Sequence, residues 1–142
     1  MRIALSTGGG DAPGLNAVIR AAVLSAHARG WDVLGIKRGF AGLLGEDEVI
    51  ALTPDTVRGI AHLGGTILRT TNRGSPFNYP VRQPDGSYTY IDRSDELTAN
   101  ARALGIDAII SIGGDGSLKI AQQLVKRGMN VVLDLVVNHT SD

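Results

Sequence analysis

The sequence predicts an α/β protein, a three-layer α/β/α sandwich built on a mostly parallel sheet. Short apolar runs alternate with segments of helical apolar spacing along the whole chain. Two Gly-rich turns, Gly8-Gly9-Gly10-Asp11 and Gly113-Gly114-Asp115-Gly116-Ser117, each follow an apolar run and open a helical segment. The stretch from Asp107 to Ile112 is an apolar run suited to a central parallel strand covered on both faces.

Taken in order, Arg2 to Ser6 reads as a strand, and Asn16 to Arg29 as a helix with apolar residues at 18, 19, 22, 23 and 26. Gly30 ends that helix, Trp31 to Ile36 is a second strand, and Gly39 to Gly45 is a compact, glycine-punctuated loop. Val49 to Leu52 is a short strand, and Thr53-Pro54-Asp55 starts a helix expected to run to about Leu63. Gly64 to Gly74 reads as a strand ending in two arginines, Arg69 and Arg73. Asp85-Gly86, flanked by Val81, Tyr88 and Tyr90, predicts an exposed hairpin inserted at the surface. Ser94 caps a helix to about Leu104, Leu118 to Lys126 is helical with Gly128 as its stop, and a last strand starts near Asn130. Right-handed crossovers would then bring both Gly turns to the carboxyl ends of their strands, on one edge of the sheet.

At 142 residues the chain is long enough for a core of its own, and a single α/β domain over residues 1–142 is the expectation. Fourteen basic residues balance fourteen acidic ones, so no global field attracts nucleic acid or an anionic membrane, and any phosphate binding has to be local. The sequence has no cysteine, which excludes disulfides, thiolate metal sites and a cysteine nucleophile and agrees with a reducing cytoplasm. No apolar stretch approaches the roughly 18 residues of a membrane span, and the N-terminus opens on a strand, so a cytoplasmic location is expected. The 19 glycines follow apolar runs instead of filling linkers, as they do where backbone turns tightly or meets a ligand.

A Gly turn that opens a helix offers free backbone N–H groups and the positive end of the helix dipole, enough to hold a phosphate without a basic side chain. The same turn is also a common tight connection, and both readings stand for either turn alone. Neither turn is followed by the Lys-Ser or Lys-Thr of a Walker loop, and neither is a clean dinucleotide fingerprint. Asp11 and Asp115 also suit simple helix caps, Arg69 and Arg73 suit solvated loop ends, and His27 and His62 read as surface or packing residues.

Together, four motifs are more specific. The segments Gly8 to Arg20, Gly39 to Leu43, Gly64 to Leu68 and Ile112 to Ser117 occur in the order and approximate spacing of the phosphofructokinase family, which the chain resembles over about residues 1–131. The resemblance implies the family's Rossmann-like N-terminal fold and the transfer of the terminal phosphoryl of ATP, with magnesium, to the 1-hydroxyl of fructose 6-phosphate. It implies that Gly9 approaches the ATP phosphates, that Asp115 bears on the magnesium, and that Gly114, Gly116 and Ser117 line the phosphates. By the same resemblance Arg73 matches a phosphate-contacting arginine, with its register uncertain by one residue, and Phe40 stands near the adenine. Gly116 fits the ATP-using pattern better than the pyrophosphate-using one, and Ile120 replaces a glycine that some bacterial members place near the nucleotide.

The end of the chain breaks this pattern. The family calls for a strand followed by Pro-x-Thr-Ile-Asp-Asn-Asp, whose first aspartate is the general base for the sugar hydroxyl. Residues 133–142 read instead Leu-Asp-Leu-Val-Val-Asn-His-Thr-Ser-Asp, which is similar to a strand of the α-amylase family of (β/α)8 barrels through Asp134, Asn138 and His139. Glycoside hydrolysis needs two opposed carboxylates that this tail does not supply. Asp134, His139 and Asp142 form one loose set of metal-ligand types, and a carboxylate inside the strand carries a burial cost.

The expectation is therefore a chimera, engineered at a join near 131–133, with residues 1–131 from the kinase and 132–142 a grafted barrel strand. It is expected to be non-catalytic, with weak ATP-magnesium or phosphate binding and no catalytic residue. The alternatives are an active phosphofructokinase fragment and a carbohydrate-binding module formed by Asn138-His139. Self-association is expected where the missing family segments leave an apolar sheet edge uncovered.

Overall fold

A computed structural model of the chain describes residues 1–8, 14–45, 47–70, 75–113 and 115–135, with backbone alone for 115–117 and 134–135. Its strands and α-helices follow in chain order: β1 (Arg2–Thr7), α1 (Leu15–Ala28), β2 (Asp32–Ile36), β3 (Val49–Leu52), β4 (Tyr79–Arg82), β5 (Tyr88–Ile91), α2 (Ser94–Ala103), β6 (Ala108–Gly113), α3 (Asp115–Lys126) and β7 (Val131–Leu135). A 3-10 turn at Ala41–Leu44 joins β2 to β3.

Five strands form one sheet in the order β3-β2-β1-β6-β7. The pairs β1–β2, β1–β6 and β6–β7 are parallel, and β3 runs antiparallel at one edge. The period-two alternation of the strands sorts the core into two layers. Ile3, Leu5, Val33 and Ile112 pack with Leu15, Ile19, Val23 and Ala26 of α1. Ala4, Ile36 and Ile109 belong to a second cluster with Leu97 and Ala101 of α2 and Leu124 of α3. The apolar spacing of each helix therefore places it on one face of a sheet that is covered on both, the three-layer sandwich that the sequence predicts.

The Asp85-Gly86 hairpin forms as a separate two-stranded sheet, β4 with β5, and Tyr88, Tyr90 and Ile91 on it are exposed. Three local expectations are corrected. Thr53 to Leu63 is a series of turns and not a helix. Thr53 and Thr56 cap one another reciprocally, but the later bonds run to the third residue back, at 3.3 and 3.4 Å from Arg58 and Ile60, and Gly59 sits at φ 74°. That left-handed residue stops helix propagation.

Residues 64–70 form no strand. Side chains from the sheet and from α1, rather than a strand ladder, take up the Gly64 and Arg69 carbonyls and the Ile67 N–H. At α2, Ser94 is the first helical residue and not the cap. Its N–H is taken by Asp92 Oδ1 at 2.9 Å, so Asp92 does the capping from one position further out.

Candidate functional site

The order of the strands locates the candidate site. From β1 the chain crosses through α1 to β2 on one side, whereas from β6 it crosses through α3 to β7 on the other. The direction of winding thus reverses between the adjacent strands β1 and β6. In open parallel sheets that reversal leaves a crevice outside the carboxyl ends of the two strands, where ligands bind.

The ends of these strands are in register, with Thr7 opposite Ile112, and the Gly8 N–H donates to the Ile112 carbonyl at 2.9 Å. Both Gly turns therefore leave the sheet side by side, and each leads into a helix N-terminus, α1 at Leu15 and α3 at Asp115. Gly14, at φ 88°, turns the chain into α1, whose first turn has no side-chain cap and no acidic residue. Its leading amides have no competing carboxylate on their own helix.

The neighbouring loops are tied to this edge by buried hydroxyl and amide groups. Ser6 Oγ donates to the Gly39 carbonyl at 2.9 Å, holding the loop that carries Phe40. Thr7 Oγ1 donates to the Arg69 carbonyl at 2.9 Å and lies 3.1 Å from Thr66 Oγ1. With the Thr7 proton committed, the Thr66 hydroxyl is the donor of that pair. Asn16, 1% exposed in the first turn of α1, accepts from the Ile67 N–H at 2.8 Å and donates to the Leu63 carbonyl at 3.2 Å. The segment from 63 to 69 is thereby fixed beside the carboxyl ends of β1 and β2.

Sequence patterning missed Thr7, Asn16 and Thr66 as site-forming residues. The available signal was polar: Thr7 is the last polar residue before a Gly turn, and Asn16 interrupts an otherwise apolar helix face.

Of the residues singled out by sequence, Asp115, Gly116 and Ser117 form the first turn of α3 at this edge. Gly9, Arg73 and Gly114 lie outside the described residues, as does Asp11. Phe40 is 7% exposed and packs with Ile36, Leu43 and Leu44 in the second apolar cluster. Ile120 is half-buried against the same cluster. His27, His62 and Arg69 are exposed. Asp134 stands opposite Ile112 in the β6–β7 ladder, and residues 136–142, with Asn138 and His139, lie outside the description.

No group of three metal-ligating side chains occurs among the described residues. The carboxylates held below their ordinary range, Asp85 by Ser87, Asp92 by Ser94 and Glu96 by Arg93, belong to the hairpin turn and the start of α2. A cleft of about 290 Å³, lined by His27, Trp31, Asp32 and Thr53 among others, includes the opening residues of β1 and β2, the end away from the Gly turns. Among the described residues no helix is long and apolar enough to cross a membrane.

A profile of the family described as Phosphofructokinase matches residues 2–140. The chain belongs to the phosphofructokinase family. That match is continuous across the join expected near 131–133 and takes in nearly all of the tail. The comparisons thus assign the end of the chain to the same family and give no support to a grafted barrel strand or to a carbohydrate-binding module.

The chain is 48% identical over 128 residues to ATP-dependent 6-phosphofructokinase 1 of Nostoc sp., covering 89% of this chain and 34% of that protein. It is 45% identical over 132 residues to ATP-dependent 6-phosphofructokinase 2 of Clostridium perfringens, covering 92% and 36%. It therefore spans about a third of the length of these relatives. The Pichia pastoris phosphofructokinase crystal structure in the T-state superposes with a TM-score of 0.76 at 30% identity over 97% of this chain and 15% of that one. The Saccharomyces cerevisiae phosphofructokinase structure gives 0.71 at 29% identity over 96% and 20%. The family and fold implied by the four motifs thus hold.

Proposed function

We propose that this chain is the ATP-binding part of a phosphofructokinase, holding the nucleotide's phosphates between the two Gly turns, and that it does not transfer phosphoryl groups by itself. The observation that carries the binding half is the reversal of winding between β1 and β6. It brings the carboxyl ends of β1 and β6, from which the two glycine turns depart, side by side at one sheet edge. Gly9, Gly114, Gly116 and Ser117 would supply the backbone of the cradle, and Arg73 a cation for the same phosphates. Phe40, packed in the core, would act on the adenine side by shaping the Gly39 loop.

Magnesium fits this arrangement in a limited way. The ion commonly keeps several waters and binds through substrate phosphates with one or two carboxylates, so Asp115 at the head of α3 suffices on the protein side. Bound there, it would neutralise charge on the phosphates.

Phosphoryl transfer also needs a positioned acceptor and a carboxylate to take its proton. The segment Pro-x-Thr-Ile-Asp-Asn-Asp, which by the family resemblance supplies that base, is not found in residues 130–142. That departure from the family pattern supports binding without turnover. Calorimetry with ATP-magnesium, paired with a coupled ADP-release assay on fructose 6-phosphate, tests both halves. Binding heat without ADP release is expected. ADP release above background would refute the non-catalytic half, and absence of heat and of thermal stabilisation at millimolar nucleotide would refute the binding half.

A further inference from the structure

We propose that Arg69 is a phosphate-binding residue at this nucleotide site, aimed by a left-handed backbone. The inference rests on the ATP-binding reading above and adds a residue to it. Among the described residues, two non-glycine residues have positive φ, Arg38 at 57° and Arg69 at 59°. For an L-residue this conformation crowds Cβ against the following carbonyl oxygen, and it persists only where surrounding contacts impose it.

Those contacts are on both sides of Arg69. Its carbonyl accepts from Thr7 Oγ1 at 2.9 Å, and its N–H donates to the Thr66 carbonyl at 3.2 Å. The preceding Leu68 is fully buried and accepts at its carbonyl from the Arg38 N–H at 2.7 Å. The Arg38–Leu68 and Thr7–Arg69 bonds thus tie the segment that carries Arg69 to the carboxyl ends of β1 and β2. Thr7, which holds Arg69, is the residue immediately before the first Gly turn.

Their side chains differ. The Arg38 guanidinium pairs with Asp47 at 3.6 Å, whereas Arg69 is exposed and has neither an ion pair nor a side-chain hydrogen bond among the described residues. A glycine would hold the same φ without strain, so the guanidinium is what an arginine adds at this position. A planar, permanently charged fork matches the oxygens of a polyphosphate. It would engage them from the β2 side of the crevice, opposite the α3 turn.

The test is calorimetry on the 142-residue chain and its Arg69→Gly, Arg69→Asn and Arg69→Lys variants, with three probes: ATP-magnesium, inorganic tripolyphosphate-magnesium and adenosine. Thermal unfolding is followed in parallel. Arg69→Gly is expected to raise the melting temperature and to weaken both polyphosphates about tenfold, the usual scale for a charge-assisted hydrogen bond, with adenosine unchanged. Arg69→Asn, which tolerates a left-handed backbone, should lose the same affinity and so separates charge from strain. Arg69→Lys should fall between, because it keeps the charge and loses the fork. Unchanged polyphosphate affinity in the Gly and Asn variants would mark Arg69 as a solvated arginine and overturn this inference while leaving the ATP site intact. An unmutated chain that binds neither polyphosphate would overturn the ATP site together with it.

Discussion

Replacing Asn16 with alanine should release the loop beside the crevice while leaving the sheet assembled. Asn16 is 1% exposed and bridges α1 to the 63–67 segment through a 2.8 Å bond from the Ile67 N–H and a 3.2 Å bond to the Leu63 carbonyl. Each bond contributes about 1 kcal/mol net, and stranding the Ile67 donor costs about 1–3 kcal/mol more. Water can reach Leu63, which is half exposed, so its carbonyl adds little to that penalty. Alanine in the first turn of α1 recovers about 0.5 kcal/mol of helix propensity. The balance is a loss of about 2.5–4.5 kcal/mol, which at a urea slope near 2–3 kcal/mol per molar lowers the unfolding midpoint by roughly 1–2 M with the slope unchanged. Hydrogen exchange should show the Ile67 amide losing protection beyond the global change. A loss below about 1 kcal/mol, or an Ile67 amide protected as before, would refute the claim that Asn16 holds this loop.

Other expectations concern packing and acid stability. In Gly42→Ala the new Cβ would lie 2.5 Å from the Glu48 carbonyl oxygen, a backbone atom, whereas in Gly35→Ala it would meet Leu68 Cδ2 at 2.5 Å. Urea unfolding should therefore show about 1–3 kcal/mol lost for Gly35→Ala and a larger loss for Gly42→Ala, where the chain itself has to move. Leu124→Ala opens a cavity between α3 and the sheet at a fully buried side chain, and a loss of about 2–5 kcal/mol is expected by the same measurement. Asp92 is held below the ordinary carboxylate range by the Ser94 hydroxyl, the Ser94 N–H and, more weakly, Arg127. A depressed folded pKa contributes stability above the unfolded value of about 3.9 and loses it as pH falls through the lower folded value. The melting-temperature gap between the unmutated chain and Asp92→Asn should accordingly be full at pH 7 and close below about pH 4.

Where apolar periodicity was strong, the sequence and the structure agree. The strands at 2–7, 32–36 and 108–113 and the helices at 15–28 and 115–126 fall within a few residues of their patterns, because alternation and 3.6-residue spacing are set by burial. The misreadings share one cause. Thr53 to Leu63 and Gly64 to Gly74 carry weak helix and strand patterns, but Gly59 and Arg69 are left-handed. In the second segment the backbone groups are met by Thr7 and Asn16, partners up to 62 residues away in sequence. No local pattern encodes such partners. At the candidate site, glycine spacing announced the two turns, and their adjacency followed from the crossover rule. The hydroxyl and amide ties that shape the crevice were illegible, since a lone Thr or Asn in an apolar run reads equally as a defect or as an anchor.

The most direct test of the account is a backbone-amide NMR titration of the chain with ATP-magnesium. The predicted result is a set of shifts confined to the carboxyl edge of β1 and β6, at Gly8, Leu15, Gly113 and the first turn of α3, extending to Arg69. Shifts centred on the opposite cleft, at His27, Trp31, Asp32 and Thr53, or a spectrum unchanged at millimolar nucleotide, would contradict it.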